Sequence, residues 1–197
     1  EITSVEVISH DIYGCADTTF IPVKVYQPQA AFFADIVSDC LPFVSQFTDT
    51  TVSDTLIVAR TWTFGNGKTA YNDSIVSTEY AAEGLTSPKL MVRDVLGCES
   101  EYMAANYIRP VVPNARFIVA NPKLCLNHEG MFVRHTTDPN YDNNIHKLLW
   151  DFGDGSTNDS SLDDTVKHKY STESPLNQTF DVSFTAYSMS PEGNECV

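Results

Sequence analysis

The sequence predicts an all-β fold built from repeated two-sheet sandwiches. Thr, Val, Ser, Tyr and Phe are abundant, clear helical periodicity is absent, and short alternating segments are separated by turn residues. The motif Trp-x-Phe-Gly-Asn/Asp-Gly begins at Trp62 and again at Trp150, which are 88 positions apart (150 − 62). A repeat of this length is a whole domain with its own core rather than one unit of a solenoid.

Two further features keep a similar spacing. A Pro-x-Ala-x-Phe segment at 28–32 recurs at 113–117, a step of 85 (113 − 28). A Gly-Cys pair at 14–15 recurs at 97–98, a step of 83 (97 − 14). The phase of these features divides the chain into three segments, which are residues 1–27, 28–112 and 113–197.

We expect each segment to be a different portion of the repeat. Residues 1–27 correspond to the last two strands of a preceding repeat, and residues 28–112 form a complete one. Residues 113–197 form a repeat that lacks its last strand. The chain is therefore expected to be an excerpt from a longer array.

Alternation and turn residues predict the strands of both repeats. In the first they lie at 31–36, 43–47, 56–64, 74–80, 89–94 and 102–108. In the second they lie at 116–120, 131–135, 147–152, 165–170 and 180–187. The junctions between segments are short and contain proline, which stiffens the backbone, so they predict a semi-rigid rod.

Composition and charge exclude several classes of partner. The formal net charge is −14 at pH 7, and a surface this acidic repels nucleic-acid phosphates and anionic lipid. No stretch approaches the roughly 18 consecutive apolar residues that a membrane span needs. We therefore expect no nucleic-acid partner and no membrane insertion in this segment.

The five cysteines include no Cys-x-x-Cys pair, so zinc-ribbon spacing is absent. Cys40 matches Cys125 at a step of 85 (125 − 40), and each lies after the first strand of its repeat. The repeat suggests the disulfides Cys40–Cys98 and Cys125–Cys196, which leave Cys15 unpaired because its partner would lie upstream. Disulfides imply secretion. The alternative is five free thiols in a reducing compartment.

The repeated motif supplies the expected core and turn residues. Tryptophans in alternating apolar strands are more often core residues than a sugar-stacking platform. The glycines are expected in hairpin turns, because no lysine follows them as a phosphate-binding loop requires. These core and turn residues are Trp62, Phe64, Gly65, Gly67, Trp150, Phe152, Gly153 and Gly155.

An acidic cluster follows the second tryptophan and is a weak candidate for calcium. Its members are Asp151, Asp154, Asp159, Asp163 and Asp164, of which Asp151, Asp154 and Asp164 are the chosen ligands. Calcium needs several oxygens from one compact loop, and the spacing does not match the Asp-x-Asp-x-Asp-Gly loop. The alternative is that the aspartates cap turns. No catalytic motif and no other cofactor is predicted, so we expect a protein that is not an enzyme.

The residues of the motif carry a family resemblance. The segment Trp150–Gly155 followed by His168-Lys169-Tyr170 resembles the PKD domain, an immunoglobulin-like sandwich. Trp62, Phe64, Gly65 and Gly67 fit the same pattern. Asn66 replaces the usual Asp, and Thr78-Glu79-Tyr80 lacks the His, so the first copy is divergent. The resemblance covers essentially the whole chain and implies tandem immunoglobulin-like sandwiches in an extended array.

The resemblance also implies a setting. Gly-Cys before the last strand and Pro-x-Ala-x-Phe at each junction resemble PKD arrays in large secreted proteins of Bacteroidota. Those are commonly surface adhesins, including gliding-motility filaments exported by the type IX system. Asp-Ser/Thr followed by an apolar residue or Thr resembles the O-glycosylation acceptor of those bacteria, and chance in a chain rich in Asp and Thr is the alternative. The acceptors would be Thr18, Thr50, Thr55, Ser74 and Thr165.

Two functions remain after this reading. The first is a non-catalytic stalk in an extracellular surface protein, with neighbouring repeats of the same chain as partners and other surface proteins or glycans as possible ligands. The second is an accessory module of a secreted hydrolase that binds carbohydrate or protein. The second needs exposed aromatic residues on one face, for which the candidates are Tyr71, Tyr102, Tyr107 and Tyr141.

Overall fold

The computed structural model describes residues 2–113, 115–125, 127–135, 145–156, 162–171 and 178–197. The strands in these ranges are β1 (Ile2–His10), β2 (Ala16–Lys24), β3 (Phe32–Ala34), β4 (Phe43–Asp49), β5 (Ile57–Thr63), β6 (Thr69–Tyr71), β7 (Ile75–Tyr80), β8 (Lys89–Asp94), β9 (Glu99–Met103), β10 (Phe117–Val119), β11 (Glu129–Arg134), β12 (Ile145–Asp151), β13 (Thr165–Lys169), β14 (Ser183–Met189) and β15 (Glu195–Cys196). All regular elements in the described ranges are strands, so the predicted all-β class is confirmed. Within those ranges, no helix has the length and apolar character needed to cross a bilayer.

The two longer predicted repeats have the same strand order. One sheet is β3-β4-β7 in the first repeat and β10-β11-β13 in the second. The other sheet is β6-β5-β8-β9 in the first repeat and β12-β14-β15 in the second. The second-repeat positions that correspond to β6, residues 157–159, lie outside the described residues. The duplication that the sequence indicates through short motifs therefore extends to the pairing of whole sheets.

An aromatic core joins the two sheets of the first repeat. Trp62 on β5 is fully buried, and its ring centroid lies 5.6 Å from that of Phe32 on β3 and 6.2 Å from that of Phe47 on β4. Phe64 stacks on Trp62 at 6.4 Å. Because aromatic side chains bury large apolar areas, this cluster stabilises the packing of one sheet on the other. Trp62 and Phe64 thus lie in the core, where the alternation of the sequence places them.

The second repeat contains the equivalent core. Trp150 on β12 is fully buried, and its ring lies 6.1 Å from that of Phe132 on β11 and 5.2 Å from that of Phe117 on β10. Phe152 stacks on Trp150 at 6.2 Å. The four aromatic positions of the first core are therefore occupied again by aromatic residues in the second.

Strands β1 and β2 form a separate antiparallel hairpin that resembles the β8–β9 hairpin in its turn. In both turns an aspartate Oδ1, from Asp11 or Asp94, accepts hydrogen bonds from the amides two and four residues later, at 2.9 and 2.8 Å. A left-handed glycine follows, Gly14 with φ 86° or Gly97 with φ 87°. The shared turn supports the interpretation of residues 1–27 as the last two strands of a repeat.

Contacts between residues divide the chain into two compact units. The first contains Glu1–Asp35, Ser45–Thr78 and Thr86–Tyr107, and the second contains Ile36–Val44, Glu79–Leu85 and Ile108–Val197. The second unit thus includes three stretches that the sequence assigns to the repeat at 28–112, namely residues 36–44, 79–85 and 108–112. The predicted boundaries, which rest on the phase of the repeat, stay a prediction.

Three strand assignments differ from the sequence prediction. The second repeat is expected to lack its last strand, but β15 pairs with β14 as β9 pairs with β8. The sequence predicts no strand at β6, which pairs with β5 through Thr61 and Tyr71. A strand is predicted at 102–108, but β9 begins at Glu99, directly after the hairpin turn, and ends at Met103. It ends there because the next register partners are Ala104 and Pro88: the Ala104 amide donates to the Pro88 carbonyl at 3.0 Å, but proline has no N–H to donate in return.

Candidate functional site

The candidate functional site is a disulfide-linked junction within the second compact unit. Cys40 follows β3 in sequence and Cys196 ends β15, and their sulfurs form a disulfide across a sequence separation of 156 residues. The Cα atoms of the two residues lie 5.2 Å apart. We call Asp39, Cys40, Asn194 and Cys196 the junction site.

Hydrogen bonds surround the disulfide. Nδ2 of Asn194 donates to both carboxylate oxygens of Asp39, at 3.0 and 2.9 Å, and the Cys40 amide donates to Asp39 Oδ1 at 2.8 Å. Burial of Asp39 raises its pKa, but hydrogen bonds from Asn194, Ser190 and the Cys40 amide outweigh this effect, so the pKa lies below its usual value. The carboxylate is therefore ionised at neutral pH and accepts hydrogen bonds from both sides of the disulfide.

Residues 37–39, which precede Cys40, also hydrogen-bond to the backbone of the predicted linker between repeats. The amide of Arg109 donates to the Val37 carbonyl at 2.8 Å, and the amide of Val111 donates to the Asp39 carbonyl at 2.9 Å. Ser38 Oγ donates to the Arg109 carbonyl at 2.6 Å. The linker after Ile108 is thus hydrogen-bonded at Arg109 and Val111.

The turn before β15 explains why Cys196 reaches this position. The Asn194 amide donates to Ser190 Oγ at 3.1 Å, and the Gly193 amide donates to the Ser190 carbonyl at 3.0 Å. Gly193 has φ 85°, as in the two other hairpin turns. By this geometry Asn194 occupies the position that Cys98 occupies in the β8–β9 turn. Cys196 lies two residues further along, on the same face of the strand, where it is buried.

The predicted disulfide pairing is therefore wrong. The structure joins Cys40 to Cys196 instead of forming Cys40–Cys98 and Cys125–Cys196. Cys98 and Cys125 are free thiols, and so is the exposed Cys15. The sequence reading aligned Cys196 with Cys98 as cysteines, whereas the turn geometry aligns the preceding glycines.

The three predicted calcium ligands take part in separate interactions. Asp151 Oδ1 accepts from the Gly153 amide at 2.9 Å, and Asp164 pairs with Arg134 Nε at 3.3 Å. Asp154 pairs with His168 at 2.8 Å. No group of three or more metal-ligating side chains occurs among the described residues, which do not include Asp159. Asp151 thus caps a turn, as the alternative to calcium has it, whereas Asp154 and Asp164 pair with basic side chains, and the calcium site stays a prediction.

Asp154 and His168 form a half-buried pair behind the glycine turn. His168 Nε2 lies 2.8 Å from Asp154 Oδ2, and its ring stacks on that of Phe152 at a centroid distance of 4.0 Å. Burial raises the Asp154 pKa, but hydrogen bonds from Ser156 and His168 and the His168 charge together lower it to about 2. The first repeat has the corresponding hydrogen bond from Asn66 Nδ2 to Thr78 Oγ1, at 3.0 Å.

This cluster does not have the geometry of a catalytic triad. In a triad the histidine lies between the carboxylate and the nucleophile and accepts the hydroxyl proton. Here Asp154 lies between Ser156 and His168, and both side chains hydrogen-bond to its carboxylate. The arrangement can therefore fix the turn to β13, but it does not activate Ser156.

Among the described tyrosine candidates for a binding face, Tyr71 and Tyr102 are exposed and Tyr107 is half-buried. Tyr102 packs edge-on against Phe32 at 5.2 Å, and Tyr107 packs against the same ring at 6.0 Å. Tyr71 is exposed on β6, and Tyr141 lies outside the described residues. Two of the three described candidates thus pack against the first core.

The predicted glycan acceptors differ in accessibility. Four are exposed, namely Thr18, Thr50, Ser74 and Thr165. Thr55 is half-buried, and its hydroxyl donates to Asp94 Oδ2 at 2.5 Å. That hydrogen bond is the main reason that the pKa of Asp94 lies below its usual value. A glycan on Thr55 would break this bond, so we expect Thr55 to remain unmodified.

Comparisons with known proteins find similarity only among solved structures. No family model matches the chain, and no curated protein matches it. The chain is similar to the PKD1 domain from Vibrio cholerae metalloprotease PrtV, with 26% identity over 39% of this chain and 90% of that domain and a TM-score of 0.35. The PKD1 domain of Vibrio anguillarum Epp is 22% identical over 43% of this chain and 95% of that domain, with a TM-score of 0.37.

A third similar structure is a longer protein. It is SGBP-B of the Bacteroides ovatus mixed-linkage glucan utilization locus, in complex with a mixed-linkage heptasaccharide. The match covers 81% of this chain and 40% of that chain, at 13% identity and a TM-score of 0.27. All three TM-scores are low, so the proposed function rests on the residues of this chain.

Proposed function

We propose that the chain is a non-catalytic structural segment of a large extracellular surface protein, in which PKD-like sandwiches serve as a semi-rigid stalk. Its partners would be neighbouring repeats of the same long chain, and other surface proteins or glycans would be secondary ligands. The proposal rests mainly on one observation, the disulfide from Cys40 to Cys196.

The disulfide supports a structural role because of the segments that it joins. Cys40 belongs to the predicted repeat at 28–112 and Cys196 to the predicted repeat at 113–197. The link is reinforced by Asp39 and Asn194 and by the backbone hydrogen bonds of Arg109 and Val111. A chain whose successive repeats are linked covalently resists bending at the predicted linker, as a stalk requires.

The chemistry of the described residues also favours a structural role. The half-buried Asp154–His168 pair is arranged to brace a turn, with Asp154 accepting from both Ser156 and His168. The repeated tryptophans of the motif, Trp62 and Trp150, are buried in the cores and are not available to stack on a sugar. These features support the stalk over the hydrolase accessory module.

The disulfide supports an oxidising compartment. Disulfides persist in secreted and surface proteins and are rare where thiols are kept reduced. Combined with the sequence resemblance, this supports a surface adhesin or gliding filament of Bacteroidota, exported by the type IX system and O-glycosylated. The exposed acceptors Thr18, Thr50, Ser74 and Thr165 are sterically open to such glycans.

Small-angle X-ray scattering of the oxidised chain tests the proposal. A compact single domain of this length has a radius of gyration of about 16 Å. A semi-rigid stalk predicts a value larger by at least about a third and a distance distribution with a long tail. A radius near that of the compact sphere would contradict the stalk. Glycan-array binding by the same sample would favour the accessory module instead.

A further inference from the structure

The connectivity of the junction site has a mechanical consequence. A pull on the two ends of the chain is transmitted along the shortest covalent path. That path runs from the N-terminus to Cys40, through the disulfide, and from Cys196 to the C-terminus. The backbone of residues 41–195 lies in a closed loop beside this path. Strands β4 to β14 and both buried tryptophans belong to that loop.

We propose that the Cys40–Cys196 disulfide acts as a strap, a covalent link that carries tension along the chain in place of residues 41–195. The proposed stalk function gives the strap its purpose, but the mechanical claim concerns the chain alone. Hydrogen bonds alone let a pulled domain unfold strand by strand, whereas a covalent bypass prevents the bypassed strands from being extended. Residues 41–195 then stay unextended under loads that would unfold an unstrapped repeat.

The surroundings of the disulfide suit a strap that must persist. Cys196 is buried, with 3% of its surface exposed, and the neighbouring Asp39 is also buried. A reductant must approach a sulfur directly, so burial slows attack at Cys196. The paired hydrogen bonds between Asp39 and Asn194 join the two segments that carry the cysteines.

The portion outside the loop can still extend. It consists of the β1–β2 hairpin, strand β3 and the chain up to Cys40. β3 is an outer strand of its sheet and pairs only with β4 in the order β3-β4-β7. We therefore expect β3 and the hairpin to detach under load while the remaining strands keep their pairing.

Single-molecule stretching of the full chain tests the strap. Peptide tags that react without thiols attach the two termini to handles, because Cys15, Cys98 and Cys125 are free. With about 3.3–3.6 Å per extended residue, the oxidised chain reaches only about 130–145 Å. A phosphine reductant breaks the S–S bond to give two thiols and becomes a phosphine oxide with oxygen from water. The reduced chain then reaches about 650–705 Å.

Two variants separate the strap from other effects. Cys40→Ser combined with Cys196→Ser is expected to extend fully without reductant, and Cys15→Ser combined with Cys125→Ser to behave as the oxidised wild type. If the first variant does not fold, reduction of the wild type during the pull gives the same comparison. The gain on reduction is predicted to be about 510–560 Å, from a separation of 156 residues less the 5.2 Å between Cα atoms.

Other results would overturn the proposal. Full extension of the oxidised wild type would show that no strap exists. Two separate gains in extended length on reduction, of about 190–210 Å and 235–255 Å, would instead indicate the disulfides Cys40–Cys98 and Cys125–Cys196. Their sequence separations are 58 (98 − 40) and 71 (196 − 125). A compact scattering profile, together with an oxidised chain in which residues 41–195 do not extend, would contradict the stalk but support the strap.

Discussion

His168 Nε2 lies 2.8 Å from Asp154 Oδ2, and the corresponding positions of the first repeat are joined by an Asn66–Thr78 hydrogen bond of 3.0 Å. One repeat thus uses an ionisable pair and the other a neutral pair for the same connection between the glycine turn and the following strand. In both turns the same side chain also accepts from the amide two residues later: Asp154 Oδ1 accepts from Ser156 at 3.0 Å, and Asn66 Oδ1 accepts from Lys68 at 3.1 Å.

The ionisable pair predicts an acid-dependent stability in the second repeat. The folded-state pKa of Asp154 is about 2 against an ordinary value of 3.8. A lowered pKa contributes stability that is fully present above 3.8 and is lost as pH falls through about 2. We expect Asp154→Asn to remove roughly 1–2 kcal/mol at pH 6 and much less at pH 2.

Urea unfolding at pH 6 and at pH 2 measures the effect of Asp154→Asn on the free energy of unfolding. Hydrogen exchange of peptides from β12 monitors the unfolding. The matched control is Asp151→Asn, because Asp151 lies in the same turn with an exposed side chain. A difference between wild type and Asp154→Asn that stays constant over this pH range would contradict the assigned role of the pair.

The two tryptophans predict unequal costs of the same substitution. Trp62 Nε1 donates to the Asp73 carbonyl at 3.0 Å, whereas Trp150 Nε1 is buried without a hydrogen-bond partner among the described residues. Trp62→Phe leaves a carbonyl unpaired, whereas Trp150→Phe removes a donor that has no partner in the described part of the chain. We therefore expect Trp62→Phe to cost about 1 kcal/mol more than Trp150→Phe.

Hydrogen exchange of peptides from β5 and from β12 reports the stability around each tryptophan separately. Each variant serves as the control for the other, because both replace a fully buried indole by a phenyl ring. Equal losses, or a larger loss at Trp150, would show that the indole hydrogen bond does not decide the difference.

The glycines of the second turn predict a steric contrast. Gly153 and Gly155 have φ of 75° and 77°, so an alanine at either position is strained. A Cβ on Gly153 would lie 2.5 Å from the Asp181 carbonyl oxygen, whereas a Cβ on Gly155 meets nothing within 4 Å. We expect Gly155→Ala to cost about 1 kcal/mol and Gly153→Ala roughly 2–4 kcal/mol, which thermal unfolding of both variants measures. Similar melting temperatures for the two variants would contradict the close approach at Gly153.

The exposed acceptor sites predict a pattern of modification in native material. Peptide mass spectrometry is expected to find glycans on Thr18, Thr50, Ser74 or Thr165 and to find Thr55 bare, because the Thr55 hydroxyl is bonded to Asp94. Native peptides that all match the bare polypeptide would remove the glycan proposal. A glycan on Thr55 would show that its hydrogen bond is not maintained.

The sequence predicts the strands well and the junction poorly, for a physical reason. Alternating apolar residues identify most strands, including β8 at its full length of Lys89–Asp94, because burial on one face has a local period. The disulfide depends on which chain segments meet in space. When Gly193 is aligned with Gly97, Asn194 and not Cys196 is aligned with Cys98. This alignment is the signal in the sequence that could have corrected the predicted disulfide pairing.

Peptide mapping of the unreduced protein tests the central claim most directly, since both the stalk and the strap rest on the junction site. After blocking of free thiols and proteolysis, the account predicts one disulfide-linked pair of peptides, containing Cys40 and Cys196, with Cys15, Cys98 and Cys125 alkylated. Linked peptides that join Cys40 to Cys98 and Cys125 to Cys196, or five alkylated cysteines, would contradict it.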